Sequence, residues 1–284
     1  MPANLYALGA IALWAMLSSL GVALKHVPPF LLTGLALIIG SLLSLPFVVK
    51  DRRQWAVAPQ TLALGVFTLF GFHFLLFIGL RIAPAVEVNL VNYLWPLFIV
   101  VLAPLYLPGI RLRSAHVLAA LLGFSGAAIA ILGGRESTGQ AWNASWGYLL
   151  ALGSALIWAN YSLQTKRAAL TGRNFPTAAI GLFGLVSGLL SLLCHCALEP
   201  AANLNLRDAL LLTLMGLGPL GAAFFLWDRA LKLGDARQIG ILSYITPLAS
   251  TTLLMLVSGR PWNWSIAVAA LMIVGAAVLG TRAK

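Results

Sequence analysis

Ala85-Val86-Glu87-Val88-Asn89-Leu90-Val91-Asn92-Tyr93-Leu94-Trp95-Pro96-Leu97 returns 151 residues later as Ala236-Arg237-Gln238-Ile239-Gly240-Ile241-Leu242-Ser243-Tyr244-Ile245-Thr246-Pro247-Leu248. A second match precedes it. Leu8-Gly9-Ala10 with Leu13-Trp14-Ala15 pairs with Leu152-Gly153-Ser154 and Ile157-Trp158-Ala159 at an offset of 144. A third follows, Gly126-Ala127-Ala128 with Gly275-Ala276-Ala277. Two apolar helices match easily by chance. Ordered matches at nearly constant offsets, each carrying a Trp, Tyr, Pro or Gly, do not. The chain therefore reads as a duplication, residues 1–135 followed by 136–284.

The surrounding sequence gives each copy its shape. Charge-free runs cover Met1–Leu24, Val27–Val49, Gln54–Leu80, Val88–Ile110 and Ser114–Gly134 in the first copy. Ser137–Thr165, Asn174–Leu198, Ala209–Trp227, Gln238–Gly259 and Pro261–Thr281 follow in the second. A hydrocarbon core takes about 20 apolar residues of helix to cross. The expectation is an all-α integral membrane protein of ten transmembrane helices. A five-helix unit copied in tandem enters the membrane in opposite orientations, so the two units form an inverted repeat. Secondary transporters use that arrangement to bind cargo near the midplane and expose it alternately to each side.

Composition agrees. Of 284 residues, 61% are hydrophobic and 9% charged, against about 25% charged in a soluble domain. The net charge of +11 suggests nucleic acid until its distribution is read. The basic residues lie in short loops, as topology signals at the lipid surface. With a cytoplasmic N-terminus, the inner loops hold Lys50, Arg52, Arg53, Arg111, Arg113, Lys166, Arg167, Arg173, Arg229, Lys232, Arg237, Arg282 and Lys284. The outer loops hold only Lys25, Arg81, Arg135, Arg207 and Arg260. Both termini are therefore expected in the cytoplasm. The first run is expected to be a retained helix rather than a cleaved signal. Cys194 and Cys196 flank His195, and residues two apart point to different helix faces, so no metal is expected there.

The second copy carries Ala230-Leu231-Lys232-Leu233-Gly234-Asp235-Ala236, then Tyr244-Ile245-Thr246-Pro247-Leu248. With the paired five-helix units, this resembles the EamA-type drug/metabolite transporter superfamily over essentially the whole chain. Glu87 through Leu97 further resembles the bacterial YddG-type aromatic amino acid exporters. That resemblance implies an amino acid exporter of a bacterial inner membrane.

Intramembrane polar groups are costly and mark pathways. Asn89, Asn92, Tyr93 and Pro96 fall at i, i+3, i+4 and i+7, on one helix face. Amides offer donors and acceptors to a zwitterion, and Pro96 frees a carbonyl and can kink its helix. Ser243, Tyr244 and Pro247 repeat the theme, which makes Pro96 and Pro247 hinge candidates. Trp14 and Trp158 are repeat mates near mid-helix, where Trp is less expected than at an interface. Trp95, aided by the resemblance, joins them. Their faces can hold an ammonium or stack on an aromatic side chain. Asn160 and Gln164 add a polar pair to the sixth run, and His73 is a titratable group midway along the third. Structural roles are expected for Glu87 at a helix start, for Asp235 as a capping box, and for Asp228 in an interface ion pair with Arg229. His195 is also expected to be structural, and Gly184 with Gly188 permit close helix approach.

No phosphate-cradling Gly-rich loop is present, which argues against ATP drive. Scattered acids and histidines argue against an enzyme, and no catalytic residue, metal or cofactor is expected. The reading is an exporter of neutral amino acids with aromatic or other large apolar side chains, working by alternating access, for which a monomer can suffice. An exporter of drugs, purines, sugars or other small metabolites on the same fold is the alternative.

Overall fold

The computed structural model describes residues 2–132, 146–258 and 264–282. Arg135, Arg260, Lys284 and the expected repeat boundary at 135/136 lie outside the described residues. Among the described residues the regular structure is entirely helical.

Nine helices there are long and apolar enough to cross a membrane: α1 Ala3–Ala23, α2 Pro29–Lys50, α3 Pro59–Ile82, α4 Ala85–Tyr106, α5 Ser114–Leu132, α7 Ala179–Leu198, α8 Leu206–Leu233, α9 Ala236–Val257 and α10 Trp264–Arg282. Between them lies α6, Trp146–Leu170, 25 residues long. Asn160, Ser162, Gln164 and Thr165 make α6 more polar. It tolerates them because it packs against α3, α4 and α8.

Several helices are broken, and proline is the usual cause. A residue without an N–H leaves the carbonyl one turn earlier unbonded. The break in α4 separates Ala85–Asn92 from Trp95–Tyr106, just before Pro96. The break in α9 separates Ala236–Leu242 from Ile245–Ser258, just before Pro247. Both turns tighten to i→i−3 bonds, from Leu94 to Val91 and from Tyr244 to Ile241. In α8, Pro219 lies in a π-turn over Gly218–Ala222. In α2, a 3₁₀ turn over Leu42–Ser44 precedes Pro46.

The helix pairing is regular. The neighbours are α2 with α7, α4 with α9, and α5 with α10. In addition α3 packs on α6 as α8 does on α1, α4 on α6 as α9 on α1, and α3 on α7 as α8 on α2. Replacing each helix by the one five places along returns these six pairings, whereas α6 with α8 and α5 with α9 have no counterpart of similar extent. Large apolar side chains such as Leu5, Leu105 and Leu271 point outward, as a lipid-facing surface requires.

Two polar clusters finish the helix ends. At one end the buried Glu199 carboxylate accepts bonds from the N–H groups of Phe30 and Leu31, satisfying donors orphaned at the start of α2. It also pairs with Arg81 and His195. At the other end Asp228 pairs with Lys232, one turn along α8, at 2.6 Å. This replaces the expected partner Arg229, which is exposed. Asp235 caps α9 through the Arg237 N–H alone, and the reciprocal capping box sits instead at Asn205 and Asp208.

The Gly-x-x-x-Gly pair in α7 does bring helices together. A Cβ at Gly188 would lie 2.8 Å from the Gly34 carbonyl oxygen of α2. Backbone cannot yield as a flexible side chain can. Gly188→Val is expected to destabilise the fold by about 1–3 kcal/mol, read as a lower melting temperature of the detergent-solubilised protein. Gly21→Ala, which lies inside a helix and meets nothing within 4 Å, should not lower melting and should raise it slightly.

Candidate functional site

A cavity of about 1470 Å³ runs into the helix bundle. Its mouth lies where Lys25, Pro29, Leu80, Val86 and Trp264 meet, at the ends of α1 and α3 and the starts of α2, α4 and α10. Its floor is aromatic. Trp14, Trp95, Trp158 and Phe224 line it, and Trp227 lies fully buried beneath.

The four indoles form one cluster in which every pair of rings is within 6.5 Å. Most meet edge-on or tilted, the arrangement favoured by ring quadrupoles. Trp158 and Trp227 are the stacked pair. Two indole N–H groups are fixed by partners: Trp14 Nε1 donates to the Pro219 carbonyl at 3.1 Å, and Trp227 Nε1 to Ser162 Oγ at 3.2 Å. The first bond reaches the π-turn of α8.

Polar groups ring the wall above. Asn92 Nδ2 donates to Ser154 Oγ at 2.9 Å, and Ser154 Oγ donates to the Phe72 carbonyl at 3.1 Å. That relay ties α4, α6 and α3. His73 Nδ1 lies 2.6 Å from the Leu69 carbonyl, so the neutral ring carries its proton on Nδ1 and keeps Nε2 as an acceptor. Ser18 and Ser250 are hydrogen-bonded at 2.6 Å across α1 and α9. The Thr33 and Thr246 hydroxyls are buried without a partner among the described residues, and both residues line the cavity. Buried unpaired hydroxyls beside a cavity are free to meet a ligand or water. No Asp or Glu is among the lining residues described.

The structure gathers most of the sequence-derived candidates. Trp14, His73, Asn89, Asn92, Tyr93, Trp95, Trp158 and Pro247 all line the cavity. Asn160, Ser243, Tyr244 and Pro96 do not. Asn160 accepts a bond from Tyr106 at 2.9 Å, below the indole cluster. Ser243 turns back to the Gly240 carbonyl. Tyr244 is fully buried against Gly123, where a Cβ would sit 2.5 Å from its ring. Pro96 is buried where its carbonyl approaches Gly240 of α9. Sequence reasoning missed Trp227, Phe224, Ser18, Thr33 and Thr246. Trp227 stands at the end of a charge-free run, where it reads as an interface residue. The hydroxyls are single small groups with no spacing signal.

Relatives of this chain are known. The model of the EamA-like transporter family matches it twice, over residues 1–132 and 145–282. The aromatic amino acid exporter YddG of Ancylobacter novellus is 38% identical over 287 residues, spanning 98% of this chain and 96% of that protein. The aromatic amino acid exporter YddG of Escherichia coli K12 is 29% identical over 205 residues, spanning 69% of this chain and 66% of that one. A protein of known crystal structure, 36% identical, matches the fold with a TM-score of 0.89 over 98% of this chain and 97% of its own.

Asn89 and Asn92 separate two roles. Asn92 bonds across the helices, whereas Asn89 is exposed on the cavity wall. Asn92→Leu is expected to cost about 1 kcal/mol of stability, read as a melting shift of a few degrees. Asn89→Leu should leave melting unchanged and weaken only the binding of cavity ligands, measured by ligand-induced thermal stabilisation.

Proposed function

The chain belongs to the EamA-like transporter family and is YddG-like within it, and we propose that it exports neutral amino acids with aromatic and other large apolar side chains across a bacterial inner membrane. The cavity is the observation that carries this reading. Its indole floor suits an aromatic side chain, and neutral amides, hydroxyls and His73 suit the charged ends of a zwitterion. Trp14, His73, Asn89, Asn92, Tyr93, Trp95 and Trp158 are assigned to substrate contact. Thr33 and Thr246 join them as donors for the carboxylate. Indole faces hold the ammonium by cation–π attraction, in the absence of a lining carboxylate. Asn160, Ser243 and Tyr244 support the wall from behind.

In this reading α6 is the tenth crossing. Its 25 residues rise about 37 Å at 1.5 Å each, more than the hydrocarbon thickness of about 30 Å. The double match of the family model and the six helix pairings that survive exchange of the halves support an inverted five-plus-five repeat. The loop charges support cytoplasmic termini, and on that orientation the cavity mouth faces outward. The paired breaks at Tyr93–Leu94 and Ser243–Tyr244, with Pro96 and Pro247, supply hinges for alternating access. No partner subunit is needed to build the cavity.

The test is flux into liposomes holding only the purified protein. Labelled phenylalanine or tryptophan should enter saturably without an imposed pH gradient. Trp158→Ala should lower the flux at least about tenfold, as for loss of a buried aromatic anchor. Flux only under a pH gradient would assign proton carriage to His73. Flux of purines or sugars but no amino acid would overturn the reading in favour of metabolite export.

A further inference from the structure

The indole cluster draws two rings from each half of the chain, yet only two of the four are repeat mates. Phe72 through Leu97 aligns without a gap on Ala223 through Leu248 at the 151-residue offset. Trp14 and Trp158 are repeat mates, and both lie in the cluster. The other two indoles have no aromatic mate. Trp95 corresponds to Thr246, and Trp227 to Leu76. Thr246 and Leu76 are not elsewhere in the molecule; both line the open cavity.

Resting on the inverted-repeat reading, we infer that Trp95 and Trp227 form a one-sided plug that biases the carrier toward the state open at the Lys25 end. In an inverted repeat, the closure on one side is remade on the other by the mates of the same residues. Closure beneath the cavity sets Trp227 at 5.2 Å from Trp14, 5.5 Å from Trp95 and 6.3 Å from Trp158. Its counterpart would set Leu76 beside Trp158, Thr246 and Trp14. All three ring pairs of Trp227 are lost in that exchange, with the Trp227–Ser162 hydrogen bond. The two closures share Trp14 and Trp158 as a common axis; among the indoles their difference rests on Trp95 and Trp227, and Phe224, whose mate is His73, adds to it in the same sense. A carrier with unequal closures spends most of its time behind the stronger one. Trp227 therefore acts without lining the cavity: it sets how often the cavity changes sides.

The test reads the two sides separately. In a background of Cys194→Ser and Cys196→Ser, one reporter is Thr251→Cys on the cavity wall. The other is Thr165→Cys, fully buried two turns below Trp158 on α6. Labelling by a small thiol reagent is timed in proteoliposomes. Thr251→Cys should label quickly and Thr165→Cys slowly. Trp227→Leu, which makes the position match Leu76, should raise labelling at 165 about tenfold while lowering it at 251. Leu76→Trp, which adds an indole to the opposite closure and removes none, should move both rates in the same directions. Unchanged rates in both variants would overturn the plug, and so would a rise at both reporters, which marks a loosened fold. Failure of the transport reading is visible apart from this, as absence of amino acid flux in the unmodified protein, because the labelling rates need no cargo.

Discussion

A chain in hydrocarbon must satisfy every backbone N–H and C=O from within, and the site is a consequence of that constraint. Prolines at 96, 219 and 247 each disturb a helical ladder inside the bundle. Disturbed ladders are tolerable only where other groups reach the backbone. Trp14 does so at the Pro219 carbonyl and Ser243 at the Gly240 carbonyl, while His73 and Ser154 bond the Leu69 and Phe72 carbonyls of the unbroken α3. The side chains that read as site residues are thus partly spent on holding irregular backbone in place. What is left over for a ligand is smaller: the indole faces, Asn89, one end of Asn92, Nε2 of His73, Tyr93 and the Thr33 and Thr246 hydroxyls.

The same economy appears at the helix ends. Arg81 lies 5.4 Å above the Phe30 ring, and Lys232 lies 4.1 Å above the Phe175 ring. Arg81 and Lys232 are one repeat offset apart, 151 residues, and each cation closes a third helix of its half onto the start of the second. Their anions are not mates. Glu199 comes from α7, in the other copy from Arg81, whereas Asp228 shares α8 with Lys232. The clamp at the Lys25 end therefore joins the two copies, and the clamp at the Lys232 end does not. On the five-plus-five reading, matched frameworks carry unmatched side chains.

The all-helical membrane fold was legible because membrane helices must be long and apolar. The helix breaks were legible through Pro96 and Pro247, although they fall a turn earlier than the prolines themselves. The ion pair of Asp228 was misassigned to Arg229 because sequence adjacency was used where the helix puts i+4 on one face. Tyr244 shows a different limit. Its match to Tyr93 is real, yet Tyr93 lines the cavity while Tyr244 fills the space left by Gly123. Alignment transfers position along a helix, not what the neighbouring helix offers there.

Trp227 makes the point most sharply. An aromatic residue near the end of an apolar run ordinarily anchors at the lipid interface, and Asp228 and Arg229 after it strengthen that reading. The run does not end there in space. Asp228 is neutralised within the bundle by Lys232 and accepts a bond from Thr177, so α8 carries its charge inward and continues to Leu233. Trp227, one residue earlier and also fully buried, reaches the other three indoles. The ion pair and the aromatic cluster therefore sit side by side on α8, and the pairing of Asp228 with Lys232 is what makes a charge tolerable next to a buried indole.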